Sequence, residues 1–210
     1  MLVIKLTSGL TILDQKNNYG VLEIGMDKKG EIDYLSKIVK PDVSVITNIN
    51  YAHAKNFKNI KQIALAKSEI INNTKINGFI VLNADDNFFT LHKKMANKRK
   101  LNILSFGIDN QNANIKLISI KKIANKFKAT IRINNLKTYF FISNNFQSNI
   151  LNILAALSVM SIFLDISKLK KNIFTGFKIP NGRGDIAKIK IDNKKLNLID
   201  ESYNSNPLSL

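Results

Sequence analysis

Val43-Ser-Val-Ile-Thr-Asn-Ile49 is a short apolar run, rich in β-branched residues, that ends in polar side chains. A similar run precedes it, Tyr19-Gly-Val-Leu-Glu-Ile-Gly25, and another follows it, Phe79-Ile-Val-Leu-Asn-Ala-Asp-Asp86. Such runs predict β-strands, and the stretches between them have the apolar spacing of helices. The order β-α-β-α-β predicts a parallel sheet, because parallel neighbours need a crossover connection that is usually helical.

Each run leads to a polar side chain near its carboxyl end. Glu23 lies in the first run, His53 follows the second and Asp85 ends the third. Ligands bind outside the carboxyl ends of strands in open parallel sheets, so we expect these three groups to face one crevice. The arrangement predicts an enzyme or a nucleotide-binding protein. Taken singly, Glu23 could instead be a strand-end carboxylate bonded to backbone amides, and His53 a structural or surface histidine.

Two charged side chains are predicted to point into apolar surroundings. Glu23 is the only charge in a strand of the kind buried on both faces, where a carboxylate must be paired, hydrogen-bonded or bound to a metal. Lys67 lies on the apolar side of a helix predicted from Ile60 to Ile71. Burial lowers the pKa of a lysine, and the neutral amine is a nucleophile that can take up carbon dioxide as a carbamate. The alternative is a lysine whose stem lies along the core surface.

The remaining segments complete the predicted fold. Helical spacing is found in residues 31–39, 86–96, 147–164 and 167–175, and strand patterns in residues 101–108, 186–191 and 196–199. Alternating runs separated by Asn-rich turns in residues 114–143 predict an antiparallel meander. We therefore expect a three-layer α/β fold with a mostly parallel sheet and an antiparallel β extension.

Four polar residues in the second half could contact a ligand. Asn149 and Asn152 are three residues apart near the start of a helix, so they could read an adenine or ribose edge, although capping and polar packing explain them equally well. Arg183 lies in a Gly-Arg-Gly turn that leaves its guanidinium free to reach a phosphate. Asp200 ends a strand and precedes a polar stretch that is either a ligand loop or an ordinary turn.

Composition limits the classes of function. The 210 residues carry a net charge of +17, almost all of it from lysine, which accompanies abundant Asn and Ile. Along the chain the lysines do not alternate with aromatic residues as in a single-strand-binding platform, so we expect no nucleic-acid partner. The sequence has no cysteine, which is compatible with a cytoplasmic protein. Its longest apolar window, residues 153–164, is too short to span a bilayer, and the N-terminus does not read as a signal peptide.

Several stretches together resemble the Mur ligases, the ATP-dependent amide-forming enzymes of peptidoglycan synthesis. They occur in family order over about nine-tenths of the chain, and the last is the most specific. The stretches are Leu22-Glu-Ile-Gly-Met-Asp-Lys-Lys-Gly-Glu-Ile32, Thr47-Asn-Ile-Asn-Tyr-Ala-His53, Ile63-Ala-Leu-Ala-Lys-Ser-Glu-Ile70, Val81-Leu-Asn-Ala-Asp-Asp86, Asn149-Ile-Leu-Asn-Ile-Leu-Ala-Ala156, Gly182-Arg183 and Ile199-Asp-Glu-Ser-Tyr-Asn-Ser-Asn-Pro207.

The resemblance implies a role for each candidate residue. Glu23, His53 and a carbamoylated Lys67 would hold Mg²⁺. Asn149 and Asn152 would contact the adenine of ATP, Arg183 its phosphates and Asp200 its ribose. The implied enzyme is an ATP-dependent acid–amino-acid ligase of cell wall biogenesis. It would be a cytoplasmic monomer that joins D-alanyl-D-alanine to UDP-N-acetylmuramoyl-tripeptide through an acyl phosphate.

Departures from the family pattern imply a partial ligase. The Gly-x-x-x-x-Gly-Lys-Ser/Thr loop that holds the triphosphate is absent from the 210 residues. Lys55 and Ser148 stand where the family usually has an acidic residue and a histidine. We expect residues 1–179 to form a central ATP-binding domain that lacks its N-terminal part, and residues 180–210 the first strands of a C-terminal ligase domain. We expect this chain alone to be inactive.

Two alternatives stay open at this point. One is another amide ligase of the same superfamily, of the folylpolyglutamate synthase type. The other is a non-catalytic basic domain that binds nucleic acid, which would bind DNA or RNA with a steep salt dependence and without need of Glu23 or Lys67.

Overall fold

The computed structural model describes residues 2–6, 19–50, 56–177, 185–192 and 194–200. Within these residues the strands are β1 (Leu2–Leu6), β2 (Tyr19–Glu23), β3 (Val43–Ile46), β4 (Phe79–Asn83), β5 (Asn102–Gly107), β6 (Ile115–Ile123), β7 (Lys126–Ile133), β8 (Leu136–Ile142), β9 (Asp185–Ile191) and β10 (Lys194–Asp200). The helices are α1 (Glu31–Val39), α2 (Ile60–Asn73), α3 (Phe89–Lys98) and α4 (Gln147–Phe163).

Eight strands form one sheet in the order β2-β1-β3-β4-β5-β6-β7-β8. Strands β3 to β6 pair in parallel, whereas β1 is antiparallel to both of its neighbours and β7 to both of its own. Strands β2, β3, β4, β5, β6 and β8 therefore run the same way. The predicted α/β fold with a mostly parallel sheet and an antiparallel meander is confirmed. The two strand patterns predicted near the end form β9 and β10, which pair in a separate two-stranded sheet.

The sheet is covered by helices on both faces, which gives the predicted three layers. Helix α4 and the inner side of the meander form one apolar cluster, with Phe106, Phe140 and Leu154 fully buried in it. Helices α1, α2 and α3 pack on the other face, where Ile63 and Ile70 of α2 lie in one apolar cluster with Ile80 and Leu82 of β4. Helix α2 begins at the Asn59 side chain, which accepts the N–H of Gln62. None of the helices in the described part of the chain is long and apolar enough to cross a membrane.

Two expectations from the sequence were wrong. In place of the helix predicted over residues 167–175 there is a 3₁₀ turn at Ile166–Lys168, which ends because Leu169 has an extended backbone, and turns follow it. Strand β2 lies at the edge of the sheet and is not buried on both faces; Tyr19 and Val21 are exposed. The reason is β1, a strand that the sequence did not predict, which lies between β2 and β3.

Asp85 was expected to face the ligand crevice, but its carboxylate instead holds the turn after β5. It accepts the backbone N–H groups of Ile108, Asp109 and Asn110 at 2.5, 3.2 and 2.8 Å. The turn approaches so closely that a Cβ on Gly107 would lie 2.8 Å from the carboxylate. Asp85 is therefore the strand-end carboxylate bonded to backbone amides that was considered as an alternative for Glu23.

Replacing Asp85 tests this role. We expect Asp85→Asn to lower the free energy of unfolding by about 1–3 kcal/mol, because an amide group replaces one of the accepting oxygens and leaves backbone donors without a partner. Urea unfolding followed by circular dichroism measures the change. Asp109→Asn is the matched control, since Asp109 is exposed on the same turn; equal losses in both variants would contradict the assignment.

His92 connects two helices of the same layer. It lies in α3, is 2% exposed, and its Nε2 is 3.1 Å from the carbonyl oxygen of Ala64 in α2. Burial lowers the pKa of His92 below its ordinary value of 6.5, and the hydrogen bond to Ala64 offsets this only in part. The imidazole is therefore kept neutral in the folded protein.

This buried imidazole makes stability depend on pH. An unfolded histidine takes up a proton below about pH 6.5, whereas the folded one resists until lower pH, so stability is lost as pH falls through this interval. We expect His92→Gln to reduce that loss, measured as urea unfolding between pH 7.5 and 5. Lys94→Gln, an exposed change in the same helix, should keep the acid sensitivity of the parent protein; an unchanged pH dependence in His92→Gln would refute the assignment.

Candidate functional site

An open cavity of about 690 Å³ lies where the parallel strands end and α4 begins. Glu23, at the end of β2, lines one side together with Thr47 and Asn48, which follow β3. Ser148 and Asn152, from the first turns of α4, line another. Polar groups from the carboxyl ends of two strands and from the amino end of one helix thus line one cavity, at the strand ends where a ligand was expected to bind.

Glu23 occupies the predicted crevice but not in the predicted environment. It is exposed at the end of the edge strand, because side chains alternate along β2 and those of Tyr19, Val21 and Glu23 share the open face. Its carboxylate is therefore accessible to a ligand and does not carry the cost of burial that the sequence suggested.

Lys67 points inward, as the helical spacing predicted. Its side chain is half-buried, and Nζ donates a hydrogen bond to the carbonyl oxygen of Asn48 at 2.8 Å. Burial lowers the pKa of Lys67 below 10.5, while the negative charge of Asp86 acts in the opposite direction. Because Asn48 also lines the cavity, this contact places the amine directly behind the cavity wall.

Asp86 is a contributor that sequence reasoning missed. Its carboxylate accepts the N–H of Ile49 at 2.8 Å and the N–H of Phe88 at 2.8 Å. The segment after β3 is therefore held from both sides, by Lys67 at the carbonyl of Asn48 and by Asp86 at the next amide. Two adjacent acids at the end of one strand were the available signal, but local sequence does not indicate which loop each acid would bind.

Asn149 and Asn152 lie one turn apart at the start of α4. Asn152 is exposed to the cavity. Asn149 is 5% exposed, and its Nδ2 donates to Asn144 Oδ1 at 3.1 Å. Among the described residues, Asn149 Oδ1 has no hydrogen-bond partner although it is fully buried. A buried acceptor without a donor is costly, so this oxygen fits a ligand that supplies an N–H or O–H group.

The other three predicted site residues are not found at this cavity in the part of the chain that the structure describes. His53 and Arg183 lie outside the described ranges. Asp200 ends β10 and is half-buried in the separate two-stranded sheet. Across the described ranges no group of three or more His, Cys, Asp or Glu side chains could hold a metal ion, so a metal at Glu23 would need ligands of another kind or from elsewhere.

A second cavity, of about 440 Å³, lies at the start of α1 next to Lys28 and Lys29. Its helix-end amides are already bonded: the carboxylate of Glu69 accepts the N–H groups of Gly30 and Asp33 at 3.0 and 3.1 Å. An anionic ligand would have to displace this carboxylate, so the larger cavity is the better candidate site.

Comparisons with known proteins agree with this geometry. The family model "Mur ligase middle domain" matches residues 3–160. The UDP-N-acetylmuramoyl-tripeptide--D-alanyl-D-alanine ligase of Buchnera aphidicola subsp. Acyrthosiphon pisum is 36% identical over 94% of this chain and 43% of its own length. That of Bacillus subtilis is 30% identical over 96% of this chain and 42% of its own length.

Solved structures show the same relationship. The crystal structure of MurF from Acinetobacter baumannii superposes with a TM-score of 0.73 and 26% identity, over 90% of this chain and 40% of that one. MurF from Thermotoga maritima, crystallised in complex with ADP, gives a TM-score of 0.67 and 28% identity over 86% and 40% of the two chains. The chain spans less than half the length of these relatives, and it belongs to the Mur ligase family.

Proposed function

We propose that this chain contributes the nucleotide and metal half-site of a ligase that joins D-alanyl-D-alanine to UDP-N-acetylmuramoyl-tripeptide at the expense of ATP. The named relatives carry out this reaction, and they match nearly all of this chain. The observation that carries the proposal is the buried, unpartnered oxygen of Asn149 on the helix that walls the cavity. An adenine amino group is a donor of the kind this oxygen lacks.

The nucleotide would lie along α4 with its phosphates towards the ends of β2 and β3. Asn149 and Asn152 would contact the adenine, Arg183 the phosphates and Asp200 the ribose. Asn152 is supported by its position in the cavity lining, and Asn149 by its place one turn earlier in α4 and by its buried oxygen, which has no partner among the described residues. The roles of Arg183 and Asp200 are carried over from the family resemblance.

Glu23, His53 and a carbamoylated Lys67 would hold Mg²⁺, which when bound stabilises negative charge on a transferring phosphoryl group. In the described residues the fit rests on two features: the carboxylate of Glu23 is accessible in the cavity, and burial favours the neutral amine of Lys67 that carbamate formation requires. The contact of Lys67 with Asn48 keeps this amine beside the cavity wall.

The reaction would proceed in two transfers. The terminal carboxylate of the tripeptide attacks the γ-phosphorus of ATP, forming an acyl phosphate and releasing ADP. The amine of D-alanyl-D-alanine then attacks the acyl carbon, and phosphate leaves as the amide bond forms. The residues of this chain would position the nucleotide and offset the charge on the phosphoryl oxygens, for which Arg183 is the candidate.

Other assignments have weaker support. Folylpolyglutamate synthase from L. casei superposes at a TM-score of 0.56 but with 15% identity, which indicates a shared fold alone. We place the reaction in the cytoplasm and expect the chain to act as a monomer.

Nucleotide binding tests the role of Asn149. We expect Asn149→Ala to weaken binding of a fluorescent ADP analogue about tenfold, since one hydrogen bond to adenine is worth about 1 kcal/mol and its loss also leaves the adenine donor unpaired. Asn145→Ala is the matched control, because Asn145 is exposed next to the same helix start. Equal affinity in Asn149→Ala and the parent protein would exclude the adenine contact.

Turnover tests the ligase assignment. With ATP, UDP-N-acetylmuramoyl-tripeptide and D-alanyl-D-alanine, we expect no amide product from these 210 residues alone, because their sequence contains no phosphate loop. A second polypeptide can be made from those segments of a related ligase that do not align with these 210 residues, the phosphate loop among them. Its addition should restore product, which mass spectrometry measures. We expect Lys67→Met and Glu23→Gln to abolish this product and Lys61→Met, an exposed change in α2, to leave it intact. Product from the chain alone would show that the half-site description is wrong.

A further inference from the structure

The outer face of the β6–β8 meander carries cations in register across three strands. Lys121 of β6 lies opposite Lys128 of β7, which in turn lies opposite Phe141 of β8. Two residues further along β7, Thr130 lies opposite Tyr139. Side chains opposite each other project from the same face of a sheet. We define the basic face as Lys121, Lys126, Lys128, Lys137, Tyr139 and Phe141.

The charge of this face is not compensated within its own segment. The sequence contains no Asp or Glu from residue 110 to residue 164. Lys121 lies directly opposite Lys128, and Arg132 directly opposite Lys137. Like charges in directly opposite positions destabilise a sheet, so this arrangement is unfavourable for folding and is relieved when an anion binds.

The cations differ in how available they are. Arg132 already donates to the carbonyl oxygens of Gln111 and Ala113, and it anchors the loop before β6. Lys121, Lys126 and Lys137 are exposed. In the described structure no ion pair involves any of these three lysines. One of these three lysines lies on each strand of the meander.

Two aromatic rings lie among these lysines. Tyr139 and Phe141 meet edge to face with their ring centroids 5.6 Å apart, and Lys128 Nζ lies 4.1 Å from the centre of the Tyr139 ring. Both rings are half-buried, so part of each ring is open to solvent. The sequence-based expectation that lysines and aromatic residues do not mix was wrong here, because Lys137, Tyr139 and Phe141 alternate along β8 and the register adds Lys128 of β7.

We propose that the basic face binds single-stranded nucleic acid, with phosphates at Lys121, Lys126 and Lys137 and a base stacked on Phe141. A sheet face with central aromatic rings and peripheral cations matches the chemistry of a single strand, whose bases stack on rings while its phosphates contact cations. A membrane surface would instead be contacted by exposed apolar side chains. The two rings at the centre of the face are half-buried, and the exposed Ile123 lies at its end, next to the β6–β7 turn. This binding surface is separate from the nucleotide cavity and does not depend on the ligase assignment.

The test is fluorescence anisotropy of the whole chain with a labelled oligouridylate of about 16 nucleotides, a length that one such surface can hold. The triple variant Lys121→Gln, Lys126→Gln and Lys137→Gln removes three exposed charges from the basic face. The control variant Lys61→Gln, Lys94→Gln and Lys98→Gln removes three exposed charges from helices α2 and α3. Both variants therefore have the same net charge.

We expect the basic-face variant to bind at least tenfold more weakly than the control variant. Its slope of log affinity against log salt should be shallower by about 2, since each phosphate contact on a single strand contributes about 0.7. Phe141→Leu should lower the affinity at least fivefold and leave the salt slope unchanged, because it removes stacking and no charge. Thermal unfolding of each variant checks that the fold is kept, and Phe141→Leu tests the surface independently of the lysines.

Three results would overturn the proposal. Equal losses in the two triple variants would show that net charge alone attracts the oligonucleotide. An unaltered affinity in Phe141→Leu would remove the stacking platform. Binding to phosphatidylglycerol vesicles that excludes the oligonucleotide and is lost in Ile123→Ser, a change at the 47% exposed residue next to the β6–β7 turn, would identify a membrane as the partner.

Discussion

The carboxylates of Asp85 and Asp86 hold together the loops that leave three adjacent parallel strands. Asp85 binds the amides of the turn after β5, and Asp86 binds the amide of Ile49 after β3 and that of Phe88 before α3. Loops at the ends of parallel strands contain backbone donors that the sheet does not satisfy, and these two residues supply the acceptors. The geometry of the cavity wall at Asn48 depends on this, because the neighbouring amide of Ile49 is fixed by Asp86.

Lys67 completes that constraint from the other side of the same segment. Its Nζ donates to the carbonyl of Asn48 while Asp86 accepts the amide of Ile49, so both polar groups of one peptide are held by side chains. The position of the lysine is therefore coupled to the shape of the cavity. A side chain that only covered the core surface would not need this contact, which is why we favour a functional role for Lys67.

Local pattern was sufficient for much of the fold. Helix α1 and the three meander strands follow directly from apolar periodicity, and the inward position of Lys67 follows from counting along α2. Strand order is a different matter, because it depends on pairing between distant segments. The placement of β1 between β2 and β3 could not be read from Leu2–Leu6, and it is this placement that leaves β2 at the edge and Glu23 exposed.

The same distinction between local and long-range pattern explains the site and the basic face. Asn149 was singled out by its spacing from Asn152. That its Oδ1 has no partner among the described residues depends on a contact between segments, because Asn144 accepts a hydrogen bond from Nδ2 and donates none to Oδ1. The lysines were dismissed because they were not expected to alternate with aromatic residues, whereas Lys137, Tyr139 and Phe141 alternate in β8 and the register of β7 with β8 brings Lys128 onto the ring of Tyr139. Drift of surface positions towards lysine would raise the net charge everywhere. It would not by itself leave the 55 residues from 110 to 164 without an acid. Directly opposite lysines also occur in the two-stranded sheet, at Lys190 and Lys195. The case for an anionic partner of the basic face therefore rests on the combination of its lysines with two aromatic rings in a segment that has no acid.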